Sequence, residues 1–345
     1  MVRRGTVEDV AECYALHESL RLPYSKRTRR ILPEMWRTLL YRGAMQLTLV
    51  TNRAAMRMVS FSAILFLTDE FCSEVRLKLP PYLGVELARQ YLSGELPGLN
   101  REQVARANAG EGLNVMMCFD GWAKDGFSRK QFLAVRQKQG EALHLALRGY
   151  RVKEFVAEPI GNEASQWMFD AGARLRRDYS EYFRRNDLSE PQPSRRPLLV
   201  GLTKKEAFAH CGSNIASLFI CPAPRFYFSR SERVLLQHAL MGETCEQLAA
   251  SLSISPWTVK ERWHAIYDRV TDVDPELLPT PIAYGLRVSS RGRERRRLLL
   301  NYLRQHLEEL RPYELPRQRH RSSSQFPLRL MRARLFRTIS DSRTA

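Results

Sequence analysis

Forty-three residues, Phe228 to Val270, constrain this chain more than any other stretch: FSRSERVLLQHALMGETCEQLAASLSISPWTVKERWHAIYDRV. Apolar residues recur there at helical spacing in three short blocks, and each break carries its own chemical marker. Ser229 supplies the cap for a first helix holding Val234, Leu235, Ala239 and Leu240. Gly242 ends it, because glycine enters the left-handed conformation that a helix C-terminus often needs. Thr244 caps a second helix with Leu248, Ala249 and Leu252, and Ser253-Ile254-Ser255 forms the turn. Ser255 then caps a third helix, with Pro256 at its first position, where a missing N–H costs nothing. Two short helices joined by a tight turn, the second capped and exposed, form the unit that enters a DNA major groove.

The run resembles the helix-turn-helix of LuxR-type transcription regulators. The resemblance is carried, without a gap, by Phe228-Ser229, Glu232, Leu236, Gly242, Thr244, Leu248-Ala249, Leu252, Ile254-Ser255, Thr258-Val259-Lys260, Ile266 and Arg269-Val270. Ser231, Gln247, Ser253 and Arg262 stand where that family usually has Arg, Glu, Gly and His. It covers about an eighth of the chain and implies a head that docks on double-stranded DNA. In the third helix Val259, Ile266 and Val270 face inward, which points Lys260, Glu261 and His264 to the groove. Lys260 is placed to donate to guanine and Glu261 to accept from cytosine. Thr258, near the capped N-terminus, suits a phosphate. Ser255 and Trp257, at the same end, complete the candidate DNA-contacting set.

Charge fits a polyanionic partner. Lys and Arg number 55 against 37 acidic residues, a net +18. Residues 1–185 hold +8, residues 224–275 hold −1 and residues 285–345 hold +11, with 16 Arg in that last stretch. The reading head is thus nearly neutral, and counterion release falls to an arginine-rich arm behind it. The cysteines at 13, 72, 118, 211, 221 and 245 have neither CxxC spacing nor histidines at ligand spacing, so no metal site is expected and reduced intracellular thiols are. The N-terminus MVRRGTVEDVAEC lacks the apolar stretch of a signal peptide, and no window approaches a membrane span. The expected location is the cytoplasm, with no membrane partner.

Length implies two domains. Asn186 to Pro197 is polar and proline-rich and reads as a linker. Behind it, Thr203 with Glu206 makes a capping-box start for a short helix. Before it, helix and strand signals alternate. Val7–Leu20, capped at Thr6, then Pro81–Leu92, Lys130–Leu147 and Asn162–Ala171 read as helices. Gln46–Thr51, Met58–Leu67, Asn114–Phe119, Val152–Glu158 and Tyr179–Phe183 read as strands, with Asn52-Arg53 near a turn. This alternation predicts a mixed sheet covered by helices.

Gln137-Lys138-Gln139-Gly140-Glu141-Ala142 matches the [QR]-x-x-G-x-[GA] loop of the GNAT acyltransferases, and the strand and helix order behind it is similar to that family's. The resemblance implies a loop, following a strand and opening a helix, whose backbone N–H groups hold the pyrophosphate of an acyl-CoA. Gln137, Gly140 and Ala142 are its candidate cofactor-binding residues. Two departures matter. Phe169 stands where that family often has a proton-donating tyrosine, and residues 120–136 read as a long insertion before the loop. No cofactor is required on this reading, and acyl-CoA is the ligand the loop would hold.

The expected fold class is α+β. A GNAT-like mixed sheet with flanking helices spans 1–186, a linker and bridging helix 187–223, an all-α LuxR-type helix-turn-helix domain 224–275, C-terminal helices 276–316, and an Arg-rich tail without periodicity 317–345. Gly292–Leu310 is amphipathic through Leu299, Leu303, His306 or Leu307, and Leu310, and either packs on the helix-turn-helix or makes a homodimer. The expected function is a transcription regulator whose acyltransferase-like domain senses a small effector, acyl-CoA or a partner; no catalytic residues are assigned. The alternative is an N-acyltransferase brought to nucleic acid by its basic module. Asp69 and Glu70, after a strand, are candidates for a base, and Tyr179 and Tyr182 could reach a cleft. His210 and His238 read as structural histidines.

Overall fold

The computed structural model describes residues 1–52, 57–96, 98–123, 127–209, 212–278 and 288–313. Its first part runs β1 Val2–Arg4, α1 Val10–Glu18, α2 Lys26–Arg42, β2 Met45–Asn52, β3 Arg57–Leu67, α3 Asp69–Leu77, α4 Leu83–Leu92 and α5 Arg101–Ala109. It continues with β4 Leu113–Trp122, α6 Arg129–Leu147, β5 Val152–Ala157, α7 Asn162–Asp170, β6 Arg174–Arg177, α8 Ser180–Arg185, β7 Leu199–Thr203 and α9 Lys204–Ala209. The helical part is α10 Arg230–Leu240, α11 Cys245–Ser251, α12 Pro256–Val273 and α13 Val288–Gln305.

The strands form one seven-stranded sheet ordered β1-β2-β3-β4-β5-β7-β6. Every pairing is antiparallel except β4 with β5. β3 is buried along both faces, as its near-continuous apolar sequence requires. One face packs Phe61, Leu65, Met116 and Phe119 against α1, α2 and α4. The other packs Phe66, Val115 and Phe155 with Leu147 of α6 and Met168 of α7. The sheet is mixed and has helices on both faces, as the alternation of helix and strand signals predicts.

Several elements depart from the sequence-based expectation. Helix α1 begins a turn late, because the Asp9 carboxylate accepts from the Thr6 N–H at 2.8 Å and pairs with Arg3. The stretch expected as a last strand, Tyr179–Phe183, is α8, preceded by Tyr179 at φ +60°. The strand reaching the sheet is instead Leu199–Thr203, inside the stretch read as linker and bridge, and it lies between β5 and β6. The capping box of Thr203 and Glu206 does start α9. Helix α2 has no counterpart in the sequence reading. It is capped by Ser25, carries Pro33 within it, and buries Leu32, Met35, Trp36 and Leu39.

The helical part has its own core of Phe226, Leu235, Leu248, Val259, Trp263, Ile266, Leu299 and Leu303. Ser229 and Thr244 form capping boxes with Glu232 and Gln247, and Ser255 caps α12 with Pro256 at its first position. Gly242 lies at φ +93° just past α10. Helix α13 spends Leu299 and Leu303 on this core, and Arg296 of α13 stacks on Trp263 at 4.9 Å while donating to the Glu243 carbonyl. Its apolar stripe therefore packs within the chain. Behind α13, Arg311 donates to the carbonyls of Leu145 and Arg148 at 2.9 and 2.8 Å and lies 4.7 Å over the Tyr150 ring. A cation at the carbonyl end of α6 is favoured by the helix dipole. Gly149, at φ +85°, lets the backbone of Glu308 pass; a Cβ there would sit 2.5 Å from the Glu308 Cα. The 317–345 tail lies outside the described residues.

Candidate active site

The chemistry gathers where the only parallel pairing of the sheet runs out. Strand β4 pairs with β5 from Leu113 to Met117 and then continues to Trp122 against β3 alone. Between Met117, opposite Ile64, and Phe119, opposite Ala63, Cys118 has no partner on β3. A bulge of this kind bends its strand and takes one residue out of the ladder. The space left by the diverging strands is walled by α6 and α7. It forms a cleft of about 530 Å³, open mouth included, lined by Cys118, Asp120, Arg136, Glu158, Trp167 and Met168 among others.

Two carboxyls line this cleft, and their surroundings separate them. Burial pushes Asp120 up from 3.8 to about 6, against the pull of Arg136. Glu158, just past β5, is pushed up by burial to about 8. It accepts from the backbone N–H groups of Tyr82 and Leu83 at 2.8 and 2.7 Å, so it also closes the first turn of α4. Those bonds oppose the burial effect without cancelling it. The Tyr179 hydroxyl is electrostatically coupled to Glu158, yet no hydrogen bond of normal geometry reaches that hydroxyl. At neutral pH, then, Asp120 is mostly an anion and Glu158 mostly a neutral acid. Two carboxyls held apart in this way are the arrangement that lets one site use a base and an acid together.

The walls fix both groups. His17 of α1 bonds the Asp120 carbonyl through Nδ1 at 2.8 Å, and burial drives its pKa down to about 4, so the ring is neutral. Tyr24 is held phenolic, first by burial and then, as pH rises, by the anionic forms of Glu158, Cys118 and Asp120. Burial also keeps the Cys118 thiol protonated, which makes it a poor nucleophile. Gln139 donates to the Phe61 carbonyl at 3.1 Å and ties α6 to β3.

The sequence-derived phosphate loop is not a loop. Gln137 to Ala142 lies inside α6, which starts at Arg129 behind a Ser128 cap. Backbone N–H groups within a helix are already spent on its hydrogen bonds, so Gln137, Gly140 and Ala142 do not make a pyrophosphate cradle. Gln137 reaches Glu141 on the surface, Ala142 is buried, and Gly140 alone lines the cleft, facing Trp167. No long insertion precedes the helix either, since β4 reaches Trp122. Phe169 of α7 is half-buried against the core and does not line the cleft, whereas Trp167 and Met168 do, so its lack of a hydroxyl has no bearing on the site. Asp69 opens α3 and bonds Asn114 and Lys153, away from the cleft.

Asp120, Arg136 and Glu158 are the residues the sequence reading missed. An acid ending an apolar strand, as in NVMMCFD and VKEFVAE, was the available signal for two of them. Among the described residues no group of three His, Cys, Asp or Glu side chains could hold a metal, and no helix is long and apolar enough to cross a membrane.

The inner and outer faces of α12 fall as the helical period predicts. Lys260, Glu261 and His264 are exposed on α12, and Val259, Ile266 and Val270 are buried. Trp257 is 69% exposed. Thr258 is half-buried, with its hydroxyl 2.9 Å from that of Ser255. Trp263 and Tyr267 join the inner face, stacked at 5.5 Å. His238 is satisfied by Glu243 at 2.8 Å, and His210 and Cys211 lie outside the described residues.

No family model matches the sequence, and neither does any curated protein. Solved structures give distant likenesses. The C-terminal condensation domain of Ebony, in complex with beta-alanyl-dopamine, is 12% identical with a TM-score of 0.38, over 59% of this chain and 98% of that one. FeeM, an N-acyl amino acid synthase from uncultured soil microbes, is 11% identical with a TM-score of 0.32, over 59% and 94%. The GNAT-like decarboxylase GphF, in complex with isobutyryl-CoA, is 9% identical with a TM-score of 0.31, over 59% and 98%. Likenesses at this level say nothing about chemistry, which has to come from the side chains of the cleft.

Proposed function

We propose that the sheet domain is an N-acyltransferase that uses an acyl thioester. The observation that carries this reading is the pair of cleft carboxyls, Asp120 near 6 and Glu158 near 8, at the point where β4 and β5 part. The thioester lies in the opening, where the Cys118 bulge frees main-chain polar groups to meet its carbonyl oxygen. The amine nitrogen attacks the carbonyl carbon, and its N–H proton, made acidic as the N–C bond forms, passes to the Asp120 carboxylate. The C–S bond then breaks, and the departing thiolate takes the proton held by Glu158. Amine and thioester become amide and thiol, and one proton returns from Asp120 to Glu158 through solvent. Tyr24 and His17 keep the Asp120 end of the strand in place. The test is thiol release by the full chain from acetyl and longer acyl thioesters, with a mixture of amines. Release that Asp120→Asn abolishes is the expected result. No release with any pair, or release unchanged in that variant, overturns the reading.

A second reading is favoured by the outer face of α12. Capped, preceded by a tight turn, and showing Trp257, Lys260, Glu261 and His264 to solvent, it has the form of a helix that reads duplex DNA. On this reading the helical part binds DNA in a sequence-dependent way and the chain acts in transcription, with the cleft as its ligand site. Both readings place the protein in the cytoplasm.

A further inference from the structure

Arg136 is the anomaly of the cleft. It is only 7% exposed, and its guanidinium is packed between aromatic rings, 5.0 Å from the Trp122 ring, 4.8 Å from Trp167 and 5.6 Å from Phe132. Ring faces cover the flat sides of a guanidinium and leave its in-plane N–H donors free. Among the described residues those donors make no hydrogen bond or ion pair; Asp120 and Glu163 act on Arg136 only through space. The nearest cleft polar group on its own helix, Gln139, is spent on the Phe61 carbonyl. A buried cation whose donors meet no hydrogen-bonded anion is costly, and such a group is usually completed by a partner. Beside Ser62, Cys118 and the two carboxyls, much of the lining is apolar: Met117, Phe119, Leu143, Pro159 and Met168.

We propose that Arg136 is a carboxylate-binding residue, and that the cleft takes a substrate whose carboxylate sits on an apolar body. A carboxylate matches the fork of a guanidinium with two parallel N–H···O bonds. The proposal rests on the acyl-transfer reading for its two sources of that carboxylate. It comes either from the acceptor, an amino acid with its amine toward Asp120, or from the acyl group, a dicarboxylic half-thioester.

The experiment is calorimetric titration of the full chain with matched pairs. One pair is L-leucine and leucinamide, a second L-phenylalanine and phenylalaninamide, and a third succinyl-CoA and butyryl-CoA. The carboxylate-bearing member of at least one pair is expected to bind about 10- to 100-fold tighter, the usual worth of a hydrogen-bonded charge pair. The pair that responds identifies the source. Arg136→Met should remove the preference, and Arg136→Lys, which keeps the charge but not the fork, should remove most of it. Binding should quench tryptophan fluorescence, and Trp167→Phe should reduce that signal. If Arg136→Met does not fold, Arg136→Lys carries the comparison. No preference in any pair, no binding by any probe, or a preference that survives in the folded variants overturns the proposal. A carboxylate preference without thiol release would leave the proposal standing and remove the acyl-transfer reading; thiol release without the preference would do the reverse.

Discussion

Replacing Asp120 by Asn should make the protein more stable and, on the proposed acyl-transfer reading, nearly abolish thiol release. Burial raises the Asp120 carboxyl from 3.8 to about 6 in the fold. The folded state therefore holds this proton more tightly than the unfolded chain. The sign follows: the group costs no stability below about pH 3.8, and the cost grows through that window and is complete above about pH 6. At about 1.4 kcal/mol per tenfold change in acidity, a dry site would lose about 3 kcal/mol at pH 8. Asp120 is half-buried by surface area, so solvent screening brings this down to about 1–2 kcal/mol. Asparagine keeps the shape and removes the charge. The variant should melt about 2–6 °C higher than the parent at pH 8, with the gain fading toward pH 4.5. Thiol release should fall by about 10²–10⁴, the usual worth of a positioned base. Thermal melts of both proteins at the two pH values, beside the thiol assay, decide the matter. A variant that melts lower than the parent at pH 8 would show that Arg136 stabilises the anion more than burial penalises it. The poised base would then be lost from the mechanism.

Three further outcomes are expected. The pH profile of acyl transfer should be bell-shaped, rising near 6 as Asp120 ionises and falling near 8 as Glu158 does, and Asp120→Asn should lose the rising limb; a flat profile across that window would remove the carboxyl pair. On the DNA-binding reading, Lys260→Ala should weaken specific binding by about 1–3 kcal/mol and relax preference at one base position. Selection from a randomised duplex library reads this directly, and unchanged selectivity counts against groove docking. Gly149→Ala should destabilise the whole chain by about 1–3 kcal/mol, because it adds positive-φ strain to a Cβ placed 2.5 Å from the Glu308 Cα. Denaturant unfolding measures it, and a neutral result would mean that the segment 307–313 does not sit against α6.

How much was legible in the sequence depended on the range of the interaction that makes each feature. Helices α10, α11 and α12 were legible almost to the residue, since their caps are bonds between residues three apart: Ser229 with Glu232, Thr244 with Gln247, Ser255 with Thr258. The buried strands β2, β3 and β5 were legible from short runs rich in apolar and β-branched residues. Helix α2 was not, because Pro33 and the basic run KRTRR disguise an inner face of Leu32, Met35, Trp36 and Leu39. β7 was hidden for another reason. A five-residue strand after a proline-rich stretch has no period of its own, and only the open edges of β5 and β6 call it into the sheet.

The cleft was the least legible part, and the cause is physical. A motif read at fixed spacing placed the ligand at Gly140, within a helix whose backbone has nothing to offer a phosphate. What the cleft offers is set by distant pairings. Asp120 is poised because β4 leaves β5 after Met117, and Glu158 because β5 ends there under α4. Arg136 has no hydrogen-bonded partner among the described residues, and Trp122 and Trp167, from a strand and a helix far apart in the chain, close over its faces. In a sequence with 55 Lys and Arg nothing marks one arginine as the buried one. Its isolation exists only in the folded chain. An unpaired buried guanidinium also lowers the stability of the empty protein, so the ligand that completes it should raise the melting temperature in proportion to its occupancy.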